Sequence, residues 1–227
     1  MGEKTDPVSS AAKGTEDRIR RSGIIAIIRG DYGLEQMEEI AGALIEGGVE
    51  VLEVTLNSTG ALEAITALCQ QFGGKVVVGA GTVRTVAAVR SAHDAGAEFI
   101  VAPNYNLQSI EESHTRNILH IPGIFTATEA QAAFAAGCRL VKLFPAEMLG
   151  PRYVKALRAP LDDIGFVPTG GISASNIADY VQAGAVAFGV GSSLVPRSIQ
   201  SVDDIITRAK SLINALKTAR DGKDSLF

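Results

Sequence analysis

Cysteine is scarce in this chain: of 227 residues only Cys69 and Cys138 carry a thiol. Both sit in apolar helical patterns, which offer neither a disulfide framework nor a metal-ligand spacing. Histidine is almost as rare. His93 and His114 fall in or near helical patterns, and His120 lies in a strand pattern with no cysteine or acid at ligand spacing, so no metal is expected. No apolar run is long enough to cross a bilayer, and Met1-Gly-Glu-Lys-Thr-Asp-Pro7 lacks the apolar core of a signal peptide. A soluble cytoplasmic protein is the expectation. Positive charge is not in excess either. A formal net charge of -4 argues against a nucleic-acid binder, while a local site can still take an anionic small molecule. Spaced glycines of the dinucleotide-binding kind are missing after the first strand pattern, where Arg29-Gly-Asp-Tyr-Gly33 stands instead.

What is present is a steady rhythm. Residues 1–14 are small and polar and read as a flexible N-terminal tail, leaving 15–227 as one domain, a length that suits a single α/β barrel. Short β-branched runs then alternate with alanine-rich amphipathic stretches. The strands are expected at Gly23–Arg29, Val51–Leu56, Val76–Ala80, Phe99–Ala102, Ile118–His120, Leu140–Phe144, Gly165–Pro168 and Val186–Val190. Helical patterns cover about 34–47, 58–71, 86–95, 106–114, 127–137, 148–158, 174–182 and 202–219. Eight strands, each followed by a helix, predict a closed (β/α)8 TIM barrel, with a doubly wound open sheet as the rival. In such a barrel the active site lies at the carboxyl ends of the strands.

That rule singles out Lys142, inside the apolar run Arg139-Leu-Val-Lys-Leu-Phe-Pro145. A buried lysine is rare unless paired or used, and burial lowers an amine's pKa toward that of a nucleophile. In Val51-Leu-Glu-Val-Thr-Leu-Asn57, alternation puts Glu53, Thr55 and Asn57 on one face. Glu53 is either the ion-pair partner of Lys142 or a carboxylate that shuttles protons for it, and pairing alone does not separate the two. Arg29 ends the first strand, either facing solvent or gripping a carboxylate. Thr82 follows a run of small residues that lets a ligand approach the backbone, Pro103 forms a rigid rim, and Phe144 either walls the cavity or simply packs. Thr169-Gly-Gly-Ile-Ser173 and Gly189-Val-Gly-Ser-Ser-Leu194 end strands seven and eight, the positions where barrels of this class bind phosphate through backbone N–H groups. Tight turns without a ligand are the alternative.

Taken together, Gly48-Val-Glu-Val-Leu-Glu-Val-Thr-Leu56, Gly79-Ala-Gly-Thr82, Ile121-Pro-Gly123, Val141-Lys-Leu-Phe-Pro-Ala-Glu147, Thr169-Gly-Gly171 and Gly191-Ser-Ser-Leu-Val-Pro196 resemble the 2-keto-3-deoxy-6-phosphogluconate / 4-hydroxy-2-oxoglutarate aldolase family. The resemblance runs over nearly the whole chain after the tail. It implies a class I aldolase on a (β/α)8 barrel, a homotrimer without a cofactor, whose partners are pyruvate and a phosphorylated 2-keto-3-deoxy sugar acid. It places the Schiff-base lysine on Lys142, the proton-shuttling glutamate on Glu53, a substrate contact on Thr82 and the phosphate loops on Gly170, Gly171, Gly191 and Ser192. One position departs. The gluconate enzymes carry an arginine after Glu-Val-Thr-Leu, and here Asn57 stands there. Leu56-Asn-Ser58 and Gly150-Pro-Arg-Tyr-Val-Lys-Ala-Leu157 look closer to the 6-phosphogalactonate branch, where Arg29 is also present and takes over the carboxylate. Val54-Thr55 and Ala146-Glu147 resemble the gluconate branch, which leaves the epimer open. A phosphosugar isomerase and a non-catalytic sugar-phosphate binding module are the other readings of the same residues.

Overall fold

The computed structural model describes residues 10–196 and 201–224. In chain order the elements are α1 (Ser10–Ser22), β1 (Ile24–Ile28), α2 (Leu34–Glu46), β2 (Val51–Thr55), α3 (Ala61–Phe72), β3 (Val77–Gly81), α4 (Val86–Asp94), β4 (Phe99–Val101) and α5 (Leu107–Thr115). There follow β5 (Leu119–Ile121), β6 (Gly123–Ile124), α6 (Ala127–Ala135), β7 (Leu140–Leu143), a 3-10 turn at Ala146–Met148, α7 (Gly150–Arg158), β8 (Gly165–Pro168), α8 (Ile177–Gln182), β9 (Phe188–Val190) and α9 (Val202–Asp224). No helix among the described residues is long and apolar enough to cross a membrane.

Every strand pairing is parallel, in the orders β5-β4-β3-β2-β1-β9 and β6-β7-β8. Two seams join these sheets. At one, the Val186 N–H donates to Phe166 O at 3.1 Å, and Thr169 bridges Gly189. At the other, the Lys142 N–H donates to Pro122 O at 2.8 Å. Because β9 meets both β1 and β8, the sheet curls round on itself, and the open doubly wound alternative is excluded. The fold is a (β/α)8 barrel. Its fifth strand is split into β5 and β6 at Pro122, which has no N–H to give to a ladder.

Alternation along the strands divides the core into two layers. Leu52, Val54, Val78, Ala80, Ile100, Val141, Leu143 and Phe166 face the helices. Ile25, Val51, Val77, Phe99, Leu119, Leu140 and Val167 fill the barrel interior. Glycine makes room for the largest of them, since a Cβ on Gly79 would collide with the Phe99 ring.

The N-terminal segment needs a correction. Residues 10–14, read from their polarity as part of a loose tail, begin α1; residues 1–9 lie outside the described residues. Ala12, Thr15 and Ile19 recur at helical spacing and are buried. Ala12 and Ile19 join the interior cluster, so α1 stoppers the N-terminal mouth of the barrel. Arg220 from α9 holds its carboxyl end, donating to the carbonyls of Arg20 at 3.0 Å and Arg21 at 2.8 Å. These bonds satisfy carbonyls at a helix end and add to the packing that holds α1 in place.

Candidate active site

At the carboxyl ends of the strands lies a cavity of about 200 Å3. All twelve residues singled out from the sequence line it: Arg29, Glu53, Thr55, Asn57, Thr82, Pro103, Lys142, Phe144, Gly170, Gly171, Gly191 and Ser192. Four more complete the wall, Ile27, Thr169, Ile172 and Gly189.

Lys142 enters from β7, where the neighbours of its strand position are Gly123 on one side and Val167 on the other. It is 7% exposed, and its Nζ stands 5.0 Å from the centre of the Phe144 ring. Glu53 enters from β2 and is 2% exposed. Its carboxylate fits because β3 places Gly81 beside it, where any Cβ would strike Glu53 Oε1. The sequence offers Lys142 as the ion-pair partner of Glu53. No contact within 4.0 Å joins them, so the expected salt bridge is absent. They interact through space instead, each charge acting on the other's pKa.

Burial dominates the electrostatics of both groups. It lifts the Glu53 carboxyl above the ordinary range, with the positive charges of Lys142 and Arg29 pulling the other way. It lowers the Lys142 pKa below the ordinary lysine value; the Glu53 charge opposes this and Arg29 adds to it. Burial thus shifts both groups in the direction of their neutral forms.

The remaining wall is held by local hydrogen bonds. The Gly30 N–H donates to Ser58 Oγ at 3.2 Å, and Ser58 Oγ and Thr55 Oγ1 lie 3.1 Å apart, which ties the Arg29 loop to the end of β2. Thr82 has a φ of 58°, a left-handed conformation that a β-branched residue adopts only under constraint. The loops after β8 and β9 are linked by Ser193, whose Oγ donates to Ile172 O at 2.7 Å. Asn176 braces the first loop, its Nδ2 donating to Gly171 O at 2.7 Å. Gly170 and Gly171 have φ of 97° and 71°, so backbone rather than side chain faces the cavity there.

Ile27, near the end of β1, and Ile172, in the loop after β8, carry no polar mark in the sequence that separates cavity wall from core. Thr169 and Gly189 mark the ends of strands seven and eight in the sequence, and the fold makes them complementary: a Cβ on Gly189 would collide with the Thr169 side chain. Among the described residues no group of three or more His, Cys, Asp or Glu is placed to hold a metal ion.

An amine and a carboxyl group buried together at the carboxyl rim, opposite two glycine loops, define a (β/α)8-barrel enzyme with an amine-centred pocket. The chain belongs to the aldolase family described as KDPG and KHG aldolase, whose model matches residues 15–209. It is 38% identical, over 88% of its length and 94% of the relative's, to a probable 2-dehydro-3-deoxy-6-phosphogalactonate aldolase of Rhizobium meliloti (strain 1021). A 2-dehydro-3-deoxy-phosphogluconate aldolase of Treponema pallidum (strain Nichols) is 39% identical over 79% of this chain and 84% of its own. Among solved structures, the KDPG aldolase of Legionella pneumophila, with pyruvate captured as a covalent carbinolamine, superposes with a TM-score of 0.75 at 28% identity. That match covers 95% of this chain and 98% of the other.

Proposed function

We propose that this protein is a class I aldolase that cleaves 2-keto-3-deoxy-6-phosphogluconate, its galactonate epimer, or both, to pyruvate and glyceraldehyde 3-phosphate. The observation that carries this reading is Lys142, a buried amine of lowered pKa that opens into the same cavity as Glu53. Lys142 Nζ attacks the C2 carbonyl and gives a carbinolamine, which loses water to form an iminium ion. A base removes the C4 hydroxyl proton, the C3–C4 bond breaks, and its electron pair flows into the iminium nitrogen. The products of this step are the aldehyde and a neutral enamine. Protonation at C3 and hydrolysis then release pyruvate and the free lysine.

Glu53, acting through a water, is the group proposed to carry protons in these steps, and its raised pKa suits both directions of transfer. Arg29 and Thr82 orient the substrate carboxylate, while Thr55, Asn57, Pro103 and Phe144 shape the space around the reacting carbons. Backbone N–H groups of Gly170, Gly171, Gly191 and Ser192 are assigned to the phosphate. The relatives named above carry the names of both epimers' aldolases, and Leu56-Asn-Ser58 of one branch standing beside Val54-Thr55 and Ala146-Glu147 of the other supports a pocket that accepts either. A homotrimer, implied by the family resemblance, belongs to the same proposal and is measured by sedimentation.

Borohydride reduction in the presence of pyruvate tests the mechanism. A pyruvate-derived adduct on Lys142, absent from Lys142→Ala, is the expected result. Turnover without an adduct points to an isomerase-like acid/base mechanism. Ligand binding with neither adduct nor pyruvate release points to a binding module.

A further inference from the structure

The two loops at the proposed phosphate end, Thr169–Ser173 and Gly189–Leu194, contain no charged residue. One charged side chain nevertheless lies against the first of them. A Cβ placed on Gly171 would stand 2.6 Å from Glu147 Cβ and 2.7 Å from its Oε2. Glu147 does not line the cavity; it is an exposed residue packed against the loop that does.

The residue before it, Ala146, is held by three hydrogen bonds. The Ala146 N–H donates to Thr169 O at 2.8 Å, and Ala146 O accepts from the Leu149 N–H at 3.1 Å and from the Tyr180 hydroxyl at 3.1 Å. Ala146 itself is fully buried. The carboxylate therefore projects from a rigid turn, next to a glycine whose φ of 71° leaves no other residue a good fit.

We propose that Glu147 sets the charge preference of the phosphate end, its carboxylate weakening the hold of the neutral glycine loops on a phosphate dianion. This deepens the aldolase reading and rests on it. The loops offer hydrogen bonds but no side-chain cation, so no charge on them offsets that of Glu147. Water screens an exposed carboxylate, so its repulsion of a phosphate held by the adjoining loop is modest. The consequence is a phosphate end that recognises its ligand yet lets the phosphorylated aldehyde go. Glu147 touches no reacting atom, so it is a specificity residue and not a catalytic one.

Glu147→Gln keeps the shape and removes the charge. Its KM for the phosphorylated keto acid is expected to fall about three- to tenfold. The Kd for inorganic phosphate, measured by titration calorimetry, falls with it, and the KM for unphosphorylated 4-hydroxy-2-oxoglutarate stays as in the parent. The gain is larger near pH 7.5 than near pH 5.5, because the second phosphate ionisation has a pKa of about 6. An unchanged or raised KM for the phosphorylated substrate overturns the inference, as does an equal change for both substrates. Pyruvate trapping on the parent protein separates the two levels. No adduct removes the aldolase reading itself, whereas an adduct with an indifferent Gln variant removes only the role of Glu147.

Discussion

Gly81 and Glu53 occupy one another's space: the carboxylate of Glu53 lies where the Cβ of any other residue at position 81 would be. The two are diagonal neighbours across the β2–β3 ladder, where Gly81 pairs with Thr55 and Glu53 with Gly79. Gly81→Ala should therefore push the carboxylate aside without touching it chemically. Turnover is expected to fall on the order of a hundredfold, the scale of an ångström misplacement in an active site. A folded variant, checked by circular dichroism, that retains parental kcat would show that Glu53 has no positional role.

The pH dependence of pyruvate trapping carries a sign. Only the neutral amine attacks, so adduct formation rises with pH, with a midpoint below the ordinary lysine value because burial lowers the Lys142 pKa. The Glu53 charge raises that pKa against burial. Glu53→Gln should thus move the midpoint further down while slowing turnover. A midpoint that moves up on losing Glu53 contradicts the electrostatics.

Thr82 trades stability for position. Its φ of 58° is strained for a β-branched residue, and such conformations cost on the order of 1–2 kcal/mol. Thr82→Gly should raise the denaturation midpoint and lower turnover, whereas Thr82→Ala keeps the strain and loses the hydroxyl. Equal stability of the Gly and Ala variants would rule out a strained site.

His120 governs acid stability. Buried against Ser113, whose Oγ lies 2.8 Å from His120 Nδ1, it has its pKa pushed down to about 3, first by desolvation and then by His114. The unfolded chain takes up this proton at an ordinary histidine pKa of about 6.5, the folded one only near 3. Between these values the unfolded state holds more protons, so stability falls as the pH is lowered through the window, by roughly 5 kcal/mol at most. His120→Gln should flatten urea-derived stability against pH between about 6 and 4. Parallel curves for the two proteins would refute the assignment.

The barrel was legible because its two periods are simple. β-branched runs gave the strands, and the strict alternation of strand and helix gave the order. The inward face of Val51–Asn57 was readable because two polar residues, Glu53 and Thr55, repeat at a spacing of two in an apolar strand. Lys142 announced itself in the same way, as a charge where only apolar neighbours belong. Three kinds of feature were out of reach. Apolar wall residues such as Ile27 carry no mark that separates cavity from core. Complementary pairs such as Gly189 and Thr169 need the register between strands distant in sequence. The first helix was overlooked because its polar face hides the spacing of Ala12, Thr15 and Ile19, and its partners are supplied by strands throughout the barrel.

With Ala12 and Ile19 of that helix packed into the N-terminal end of the barrel, that end is plugged by the chain itself, and the cavity lies at the opposite, carboxyl end of the strands. Substrate and products of the proposed reaction pass the same rim. On the proposed mechanism, the fragment bound to Lys142 stays inside while the aldehyde leaves past Arg29 and the glycine loops. The order of departure is then set by the shape of the vessel as much as by the chemistry inside it.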